Sequence, residues 1–181
     1  MYSFEGMLLP PRELVLDTSF VVDALIPSQA RHVECRMFLG YMAAAESTVF
    51  FNRLLEAELW EAAYKIALKE LHPKRRAGDV RQDRRTLRRA KTLREEVDAA
   101  WRQVLTALDW AAIDLAEVER WLPRMMACGL TSFDAVHAAT AAYVAVRPFV
   151  TLDYHFSFVP EGELELYVPT NRVRPCRARR A

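Results

Sequence analysis

The sequence predicts a three-layer α/β domain with a mainly parallel central sheet, because strand-like and helix-like segments alternate along the chain. Short runs rich in β-branched or aromatic residues at 13–16, 48–51 and 149–152 are typical of strands. The longer segments between them carry apolar residues at helical spacing. The chain has 181 residues, of which 52% are hydrophobic. That is enough for one domain with a full core, which we assign to residues 1–169.

Prolines mark several element ends in the N-terminal half. Pro10 and Pro11 precede the first strand. Pro27 ends the brief helix after that strand, and Pro73 ends the long helix after the second strand. The elements predicted in this half are a strand at 13–16, a helix at 20–25, a helix at 29–45, a strand at 48–51 and a helix from 55 to about 71.

The C-terminal half opens with a helix over 83–108, which has an apolar stripe and flanking arginines. Asp114 and Glu117 have the spacing of a capping box, and Gly129 is a matching C-terminal stop. These signals predict one helix over 114–128. The other elements predicted in this half are a weak strand at 110–113, a helix that Thr131 opens, a strand at 149–152 and an edge strand at 164–168.

The cysteines and the apolar segments limit the class of protein. Cys35, Cys128 and Cys176 are an odd number without paired spacing, which indicates reduced thiols and neither a disulfide framework nor a zinc site. No uninterrupted apolar stretch is long enough for a membrane span. The start of the chain lacks the basic region and apolar core of a signal peptide. We therefore expect a cytoplasmic protein with no membrane association.

The formal net charge of +1 hides a strong segregation of charge. Residues 74–94 hold ten basic and two acidic residues, a net charge of +8. Residues 170–181 hold five arginines and no acid. The rest of the chain has ten basic and 22 acidic residues, a net charge of −12. An acidic body with two separate basic segments is more informative than the near-neutral total.

Four acidic residues lie at the ends of hydrophobic stretches. Asp17 and Asp153 follow predicted strands, whereas Glu58 and Asp134 lie in the first turns of predicted helices. In a parallel α/β sheet these positions share one edge, so the four carboxylates are expected to meet there. Each acid alone has a plain explanation: a turn former, a solvated helix residue, or, for Asp134, a capping box with Thr131. Together they predict an acidic pocket that needs a divalent cation.

The segments around these acids resemble the four signature blocks of PIN domains, most closely the ribonuclease toxins of the VapC type. The blocks are LVLDTSFVVDAL at 14–25, Glu58-Leu59, GLTSFDAVHAATA at 129–141 and VTLDYHF at 150–156. They occur in the family's order. The resemblance implies a three-layer α/β/α PIN-like fold, here with a basic helical insertion or clip over 74–108.

The resemblance also implies the chemistry. Asp17, Glu58, Asp134 and Asp153 match the metal-binding catalytic acids, and Ser19 and Thr151 match hydroxyls that support them. The implied activity is a Mg²⁺- or Mn²⁺-dependent endoribonuclease, the toxin of a type II toxin–antitoxin pair, acting on tRNA, rRNA or mRNA. The implied partners are a cognate antitoxin and a second copy, as a homodimer or a toxin–antitoxin hetero-oligomer.

Several assignments stay open on the residues alone. Oxygen ligands suit either Mg²⁺ or Mn²⁺, so the residue types leave the choice of ion open. Helical periodicity does not show whether Glu56 or Glu58 faces the other acids. Asp114 is better explained as an N-cap, and Asp23 as an exposed helix residue. We expect His137 to pack beside the alanines of its helix.

The basic segments allow two interpretations. The first is an arm that holds RNA phosphates, with Arg75, Arg76, Arg84, Arg85 and Arg88 as candidate contacts. The second is a solvated helix face that balances the acidic body. Residues 170–181 are predicted to be a disordered basic tail. The alternative functions are a non-catalytic PIN-like module that binds RNA or protein, and a DNA-directed nuclease.

Overall fold

The computed structural model describes residues 1–75, 82–160 and 162–173. Its six strands form one sheet in which every neighbouring pair is parallel, in the order β1-β6-β5-β2-β3-β4. The strands are β1 Tyr2–Ser3, β2 Glu13–Leu16, β3 Thr48–Asn52, β4 Asp109–Ile113, β5 Pro148–Val150 and β6 Glu165–Val168. The helices are α1 Thr18–Leu25, α2 His32–Ala44, α3 Leu54–Leu71, α4 Arg84–Ala107, α5 Leu115–Val118, α6 Leu122–Ala127 and α7 Ser132–Val144.

Helices cover both faces of the sheet, which confirms the predicted three-layer α/β/α fold. The alternation of side chains along β2 builds both layers. Leu14 and Leu16 enter the core formed with α1, α2, α3 and α4. Val15 enters the core formed with α5, α6 and α7. Because β2 lies inside the sheet, its carboxyl end is flanked by α1, α3 and α7, and these elements carry the residues of the candidate site.

The basic helix α4 forms an antiparallel hairpin with α3. Trp60 of α3 donates its indole N–H to Asp98 at 2.9 Å, and the guanidinium of Arg94 lies 3.7 Å from the centre of the Trp60 ring. Trp101 is buried against Phe51 of the sheet. The C-terminal half of α4 is therefore part of the domain core, and its N-terminal turns extend beyond the core.

Two predictions about element bounds are wrong. The single helix over 114–128 is instead α5, a 3-10 turn over Glu119–Trp121, and α6. Pro123 explains the break, since it has no N–H to donate to an earlier turn and suits the start of a new helix. The expected edge strand β6 lies inside the sheet, because the two-residue β1 pairs with its outer side.

The ends of the basic segments lie only partly within the described ranges. Thr170–Arg172 forms a 3-10 turn. Residues 174–181, on which most of the predicted tail falls, lie outside the described residues, as do residues 76–81 of the predicted insertion. Within the described ranges, no helix combines the length and the apolar content that a membrane span needs.

Candidate metal centre

Asp17 is held at the carboxyl end of β2 by hydroxyl groups. Its carboxylate is almost fully buried and caps α1, and Oδ2 accepts from the backbone N–H of Ser19 at 3.3 Å. The hydroxyl of Ser19 donates to the same oxygen, and the hydroxyl of Thr151 donates to it at 2.7 Å. Such hydrogen bonds replace the water that burial removes. They leave Asp17 in a fixed orientation.

Thr151 links two of the four acids. Its hydroxyl donates to Asp17 and also accepts the backbone N–H of Asp153 at 2.8 Å. Ser19 similarly accepts the N–H of Leu152 at 2.9 Å. The short segment after β5 is thus tied to the end of β2 by side-chain oxygens, and Asp153 is placed beside Asp17.

Glu58 reaches the same place from α3. Its Oε2 accepts the hydroxyl of Thr18 at 2.5 Å and lies 2.6 Å from Nε2 of His137. Burial disfavours the charged carboxylate, but the hydrogen bond and charge of His137 outweigh burial and lower the pKa of Glu58. Glu56 instead lies 3.9 Å from Arg53 and lines a different cavity. The structure therefore places Glu58, and not Glu56, among the other acids.

Asp134 lies in the first turn of α7. The Thr131 side chain makes no capping hydrogen bond, so the capping box that offered a plain explanation of Asp134 is not formed. Burial raises the pKa of the Asp134 carboxyl, and the charges of Asp153 and Asp17 raise it further. The effect of the two charges is the mutual repulsion that we expect between converging carboxylates when no cation balances them.

The four acids line one cavity of about 180 Å³ at the carboxyl edge of the sheet, together with Thr18 and Ser19. Lys65 and Glu61, an ion pair at 2.8 Å, lie at its rim on α3. The carboxylate oxygens suit a hard divalent cation. Single ligand atoms of Asp134, Asp153 and His155 lie within 4.8 Å of one another, close enough to share one ion. The donor set therefore fits the implied metal.

Sequence reasoning missed two histidines of this site. His137 is 1% exposed, as expected of a packed histidine, and in addition it bridges Glu58 and Thr18, which was not expected. Burial disfavours the charged ring, but the hydrogen bond to Glu58 and the charges of Asp17, Glu58 and Asp134 raise the pKa of His137. His155 adds a nitrogen to an expected oxygen-only donor set. Each lies two or three residues after a predicted acid, a spacing that could have indicated them.

The remaining acidic candidates lie outside this cavity. Asp114 forms the predicted capping box with Glu117, whose carboxylate accepts the Asp114 N–H at 2.9 Å. Asp23 is half-buried and not exposed, and burial raises its pKa. Neither side chain lines the cavity around Asp17.

A comparison with known families agrees with this geometry, in which four acid segments meet around one cavity at the same edge of the sheet. Residues 14–162 match the sequence model of the PIN domain. The chain belongs to the PIN domain family. PIN domains are in general metal-dependent nucleases that bind divalent cations, and the acidic cavity lies within the matched range. A search of curated proteins finds no match for this PIN domain chain.

Proposed function

We propose that this PIN domain protein is a Mg²⁺- or Mn²⁺-dependent endoribonuclease that hydrolyses RNA phosphodiester bonds. One observation supports this above the others: Asp17, Glu58, Asp134 and Asp153, from four separate segments, line one cavity. A divalent cation bound by such acids supplies charge neutralisation and activates water for in-line attack on phosphorus. Hydrolysis needs no covalent intermediate with the protein.

The surrounding residues orient the carboxylates. Ser19 and Thr151 saturate Oδ2 of Asp17, and so restrict its rotation. Thr18 and His137 do the same for Oε2 of Glu58. Positioning of this kind matters because an in-line displacement tolerates little misplacement of the groups that hold the phosphate. Outer-shell donors of this type are an expected part of a metal centre.

The start of α4 supports a nucleic acid as the substrate. Arg84, Arg85 and Arg88 are exposed, and within the described ranges they form no ion pair; the same holds for Arg75. Arg76 lies outside the described residues. Arginines in the first turns of a helix oppose its dipole, so they contribute nothing to helix stability there. They are available to neutralise phosphates, an interaction that supplies most non-specific affinity for nucleic acids.

The second half of the basic segment is different, because its charges are balanced. Arg89 lies 2.8 Å from Glu70, Lys91 lies 3.8 Å from Glu95, and Arg94 lies 3.7 Å from Asp98. We therefore assign the RNA-holding interpretation to the start of α4, and the interpretation as a charge-balanced, solvated helix face to residues 89–94. From Glu58 to the tip at Leu71, α3 extends about 20 Å at 1.5 Å per residue. We propose that the tip holds RNA phosphates at that distance from the bond that is cleaved.

We also propose that the protein is the toxin of a type II toxin–antitoxin pair that acts in the cytoplasm. This part rests on the resemblance of the four blocks to VapC-type toxins. It implies a cognate antitoxin and a homodimer or hetero-oligomer. Expression of the chain alone should arrest growth, the Asp134→Asn variant should not, and co-expression of the adjacent reading frame should restore growth. Arrest by the variant would contradict the toxin assignment.

The nuclease assignment is tested with purified protein and matched RNA and DNA strands. The rate of RNA cleavage should fall in Asp17→Asn and in Asp134→Asn. The decrease should exceed the roughly 10- to 100-fold loss that follows removal of an outer-shell partner. Glu13→Gln is the matched control, since Glu13 is an exposed acid at the opposite end of the same strand as Asp17. Cleavage that survives excess chelator would overturn the proposal. Preferred cleavage of DNA would favour the DNA-directed alternative, and RNA binding without cleavage the binding module.

A further inference from the structure

His155 lies two residues after Asp153, an acid that lines the cavity, and its geometry is unlike that of the other histidines. Its Nδ1 is 2.9 Å from Oδ1 of Asp153, and its backbone N–H donates to the same oxygen at 2.9 Å. The side chain is 63% exposed, so solvent reaches the ring, and the Phe158 ring lies beside it with the two ring centres 5.9 Å apart. One of its ring nitrogens also belongs to the group of ligand atoms from Asp134 and Asp153 that lie within 4.8 Å of one another.

Within the described ranges, no other histidine belongs to a group of ligand atoms that could share one ion. His137 lies deeper, and its Nε2 is occupied by Glu58 and Thr18. His32 bonds to the carbonyl of Asp23, and His72 lies beside Asp83 at the tip of the α3–α4 hairpin. If the centre has a nitrogen ligand from an imidazole, it comes from His155.

The distance between Nδ1 of His155 and Oδ1 of Asp153 is informative. Two neighbouring ligands of an octahedral ion, each bonded at about 2.1 Å, are about 3 Å apart. The observed 2.9 Å matches that separation. The same distance is also that of a hydrogen bond from an imidazole N–H, in which case His155 would orient Asp153 from the outer shell. The exposed ring and the third atom from Asp134 favour direct ligation.

We infer that His155 is a metal ligand beside Asp134 and Asp153, and that the centre consequently favours Mn²⁺ over Mg²⁺. Mg²⁺ takes oxygen ligands almost exclusively, whereas Mn²⁺ is a first-row transition metal that also binds at sites with nitrogen ligands, although carboxylate oxygens suit it best. Mn²⁺ accepts both carboxylate oxygens and an imidazole nitrogen, so it satisfies the whole group of ligand atoms. The inference deepens the proposed metal-dependent nuclease, on which it rests, by choosing between its two candidate ions.

The test is spectroscopic and does not depend on activity. The full chain is loaded with Mn²⁺, and pulsed electron paramagnetic resonance records the modulation from a directly coordinated ¹⁴N nucleus. The signal should be present in the wild-type protein and in His72→Gln, which changes a distant histidine. It should be absent in His155→Ala. Wild-type protein that binds Mn²⁺ without ¹⁴N modulation, or a His155→Ala variant that keeps it, would overturn the inference.

Calorimetric titration provides a second readout. His155→Ala should weaken Mn²⁺ binding about tenfold or more, and leave Mg²⁺ binding nearly unchanged. Equal losses for both ions would indicate an outer-shell role and overturn the inference. Mn²⁺ bound without nitrogen, together with RNA cleavage, would leave the proposed nuclease intact. Mn²⁺ bound through nitrogen without any RNA cleavage would overturn the proposed nuclease and leave the His155 ligand intact. Failure to bind either ion would overturn both proposals.

Discussion

Nε2 of His137 lies 2.6 Å from Oε2 of Glu58, and this hydrogen bond joins α7 to α3 across the candidate metal centre. The two helices belong to different layers, and Thr18 of α1 completes the arrangement at 3.2 Å from the same nitrogen. Nδ1 of His137 is buried without a partner among the described residues. A carboxylate can only accept, so Nε2 of His137 carries the proton of the hydrogen bond to Glu58.

We expect His137→Leu to loosen Glu58. The variant keeps an apolar packing partner but removes one of the two donors to Oε2 of Glu58, and a hydrogen bond to a charged group contributes about 1.5–3 kcal/mol. Urea unfolding should show that loss, and Mg²⁺ or Mn²⁺ titration should show weaker binding. His137→Gln retains a donor and should recover part of both. If Gln and Leu are equally damaging, the role of His137 is packing and not the hydrogen bond.

Thr151→Val should weaken metal binding without disturbing the sheet. Valine preserves the shape of threonine but removes the hydroxyl that donates to Asp17 and accepts from Asp153. Loss of an outer-shell partner typically costs about 10- to 100-fold in metal affinity. The matched control is Thr140→Val, because Thr140 is equally buried and its hydroxyl donates to the carbonyl of Val136. A similar loss of metal affinity in both variants would argue against a special role for Thr151.

The unpaired arginines at the start of α4 should dominate binding of RNA. Replacing Arg84, Arg85 and Arg88 by glutamine, in the inactive Asp134→Asn background, should lower affinity. It should also reduce the slope of log affinity against log salt by about 0.7–0.9 for each phosphate that the protein no longer neutralises. Binding is measured by fluorescence anisotropy at several salt concentrations.

A triple variant of equal charge provides the control for this prediction. Arg89, Lys91 and Arg94 already face carboxylates, so replacing them by glutamine should change the salt slope much less. Their exposed ion pairs contribute little stability, so the fold should persist. If the salt slope decreases equally in both triple variants, total charge and not the position of the arginines determines binding.

Asp83 should make the α3–α4 hairpin sensitive to acid. It caps α4 by accepting the N–H and the hydroxyl of Thr86, both at 2.8 Å. The backbone hydrogen bond from Thr86 contributes most to lowering the pKa of Asp83, to about 2 from 3.8. A lowered folded pKa means that the stabilisation is complete above pH 3.8 and is lost as the pH falls towards 2.

The measurement compares urea midpoints at neutral pH and near pH 3. Asp83→Ala should lower the midpoint at neutral pH and should show a smaller further decrease on acidification than the wild type. Asp109→Ala, an exposed acid at the start of β4, serves as control. An unchanged acid dependence in Asp83→Ala would show that the cap does not couple to protons.

Much of the fold and the place of the site could be predicted, because two of the acids directly follow strand-like segments and parallel strands all end at the same edge of the sheet. Asp17 and Asp153 each follow a run of residues that can only be a buried strand, and parallel strands bring their carboxyl ends to one edge. The two-residue β1 has no periodicity to detect, so the internal position of β6 could not be foreseen. Pro123 is a local signal for the break between α5 and α6, and the capping box and Gly129 alone do not reveal that break.

The contacts of the site were less predictable than its location. Helical periodicity gives equal weight to Glu56 and Glu58, and only the packing of α3 on the sheet separates them. The pairing of His137 with Glu58 joins residues 79 positions apart. In the same way, Arg89 pairs with Glu70 of another helix. These relations arise from tertiary packing, which no local pattern encodes. The pairs Lys91–Glu95 and Arg94–Asp98 differ, because their i,i+4 spacing is visible in the sequence.

The side-chain alternation along β2 has a consequence for inactivation. Leu14 and Leu16 belong to one core and Val15 to the other, so the two helical layers share a single strand. Glu58 comes from one layer and Asp134 from the other, and both line the cavity. Detachment of either layer dismantles the centre completely. Heat or denaturant should therefore abolish cation binding and structure in one cooperative transition, with no half-assembled centre populated on the way.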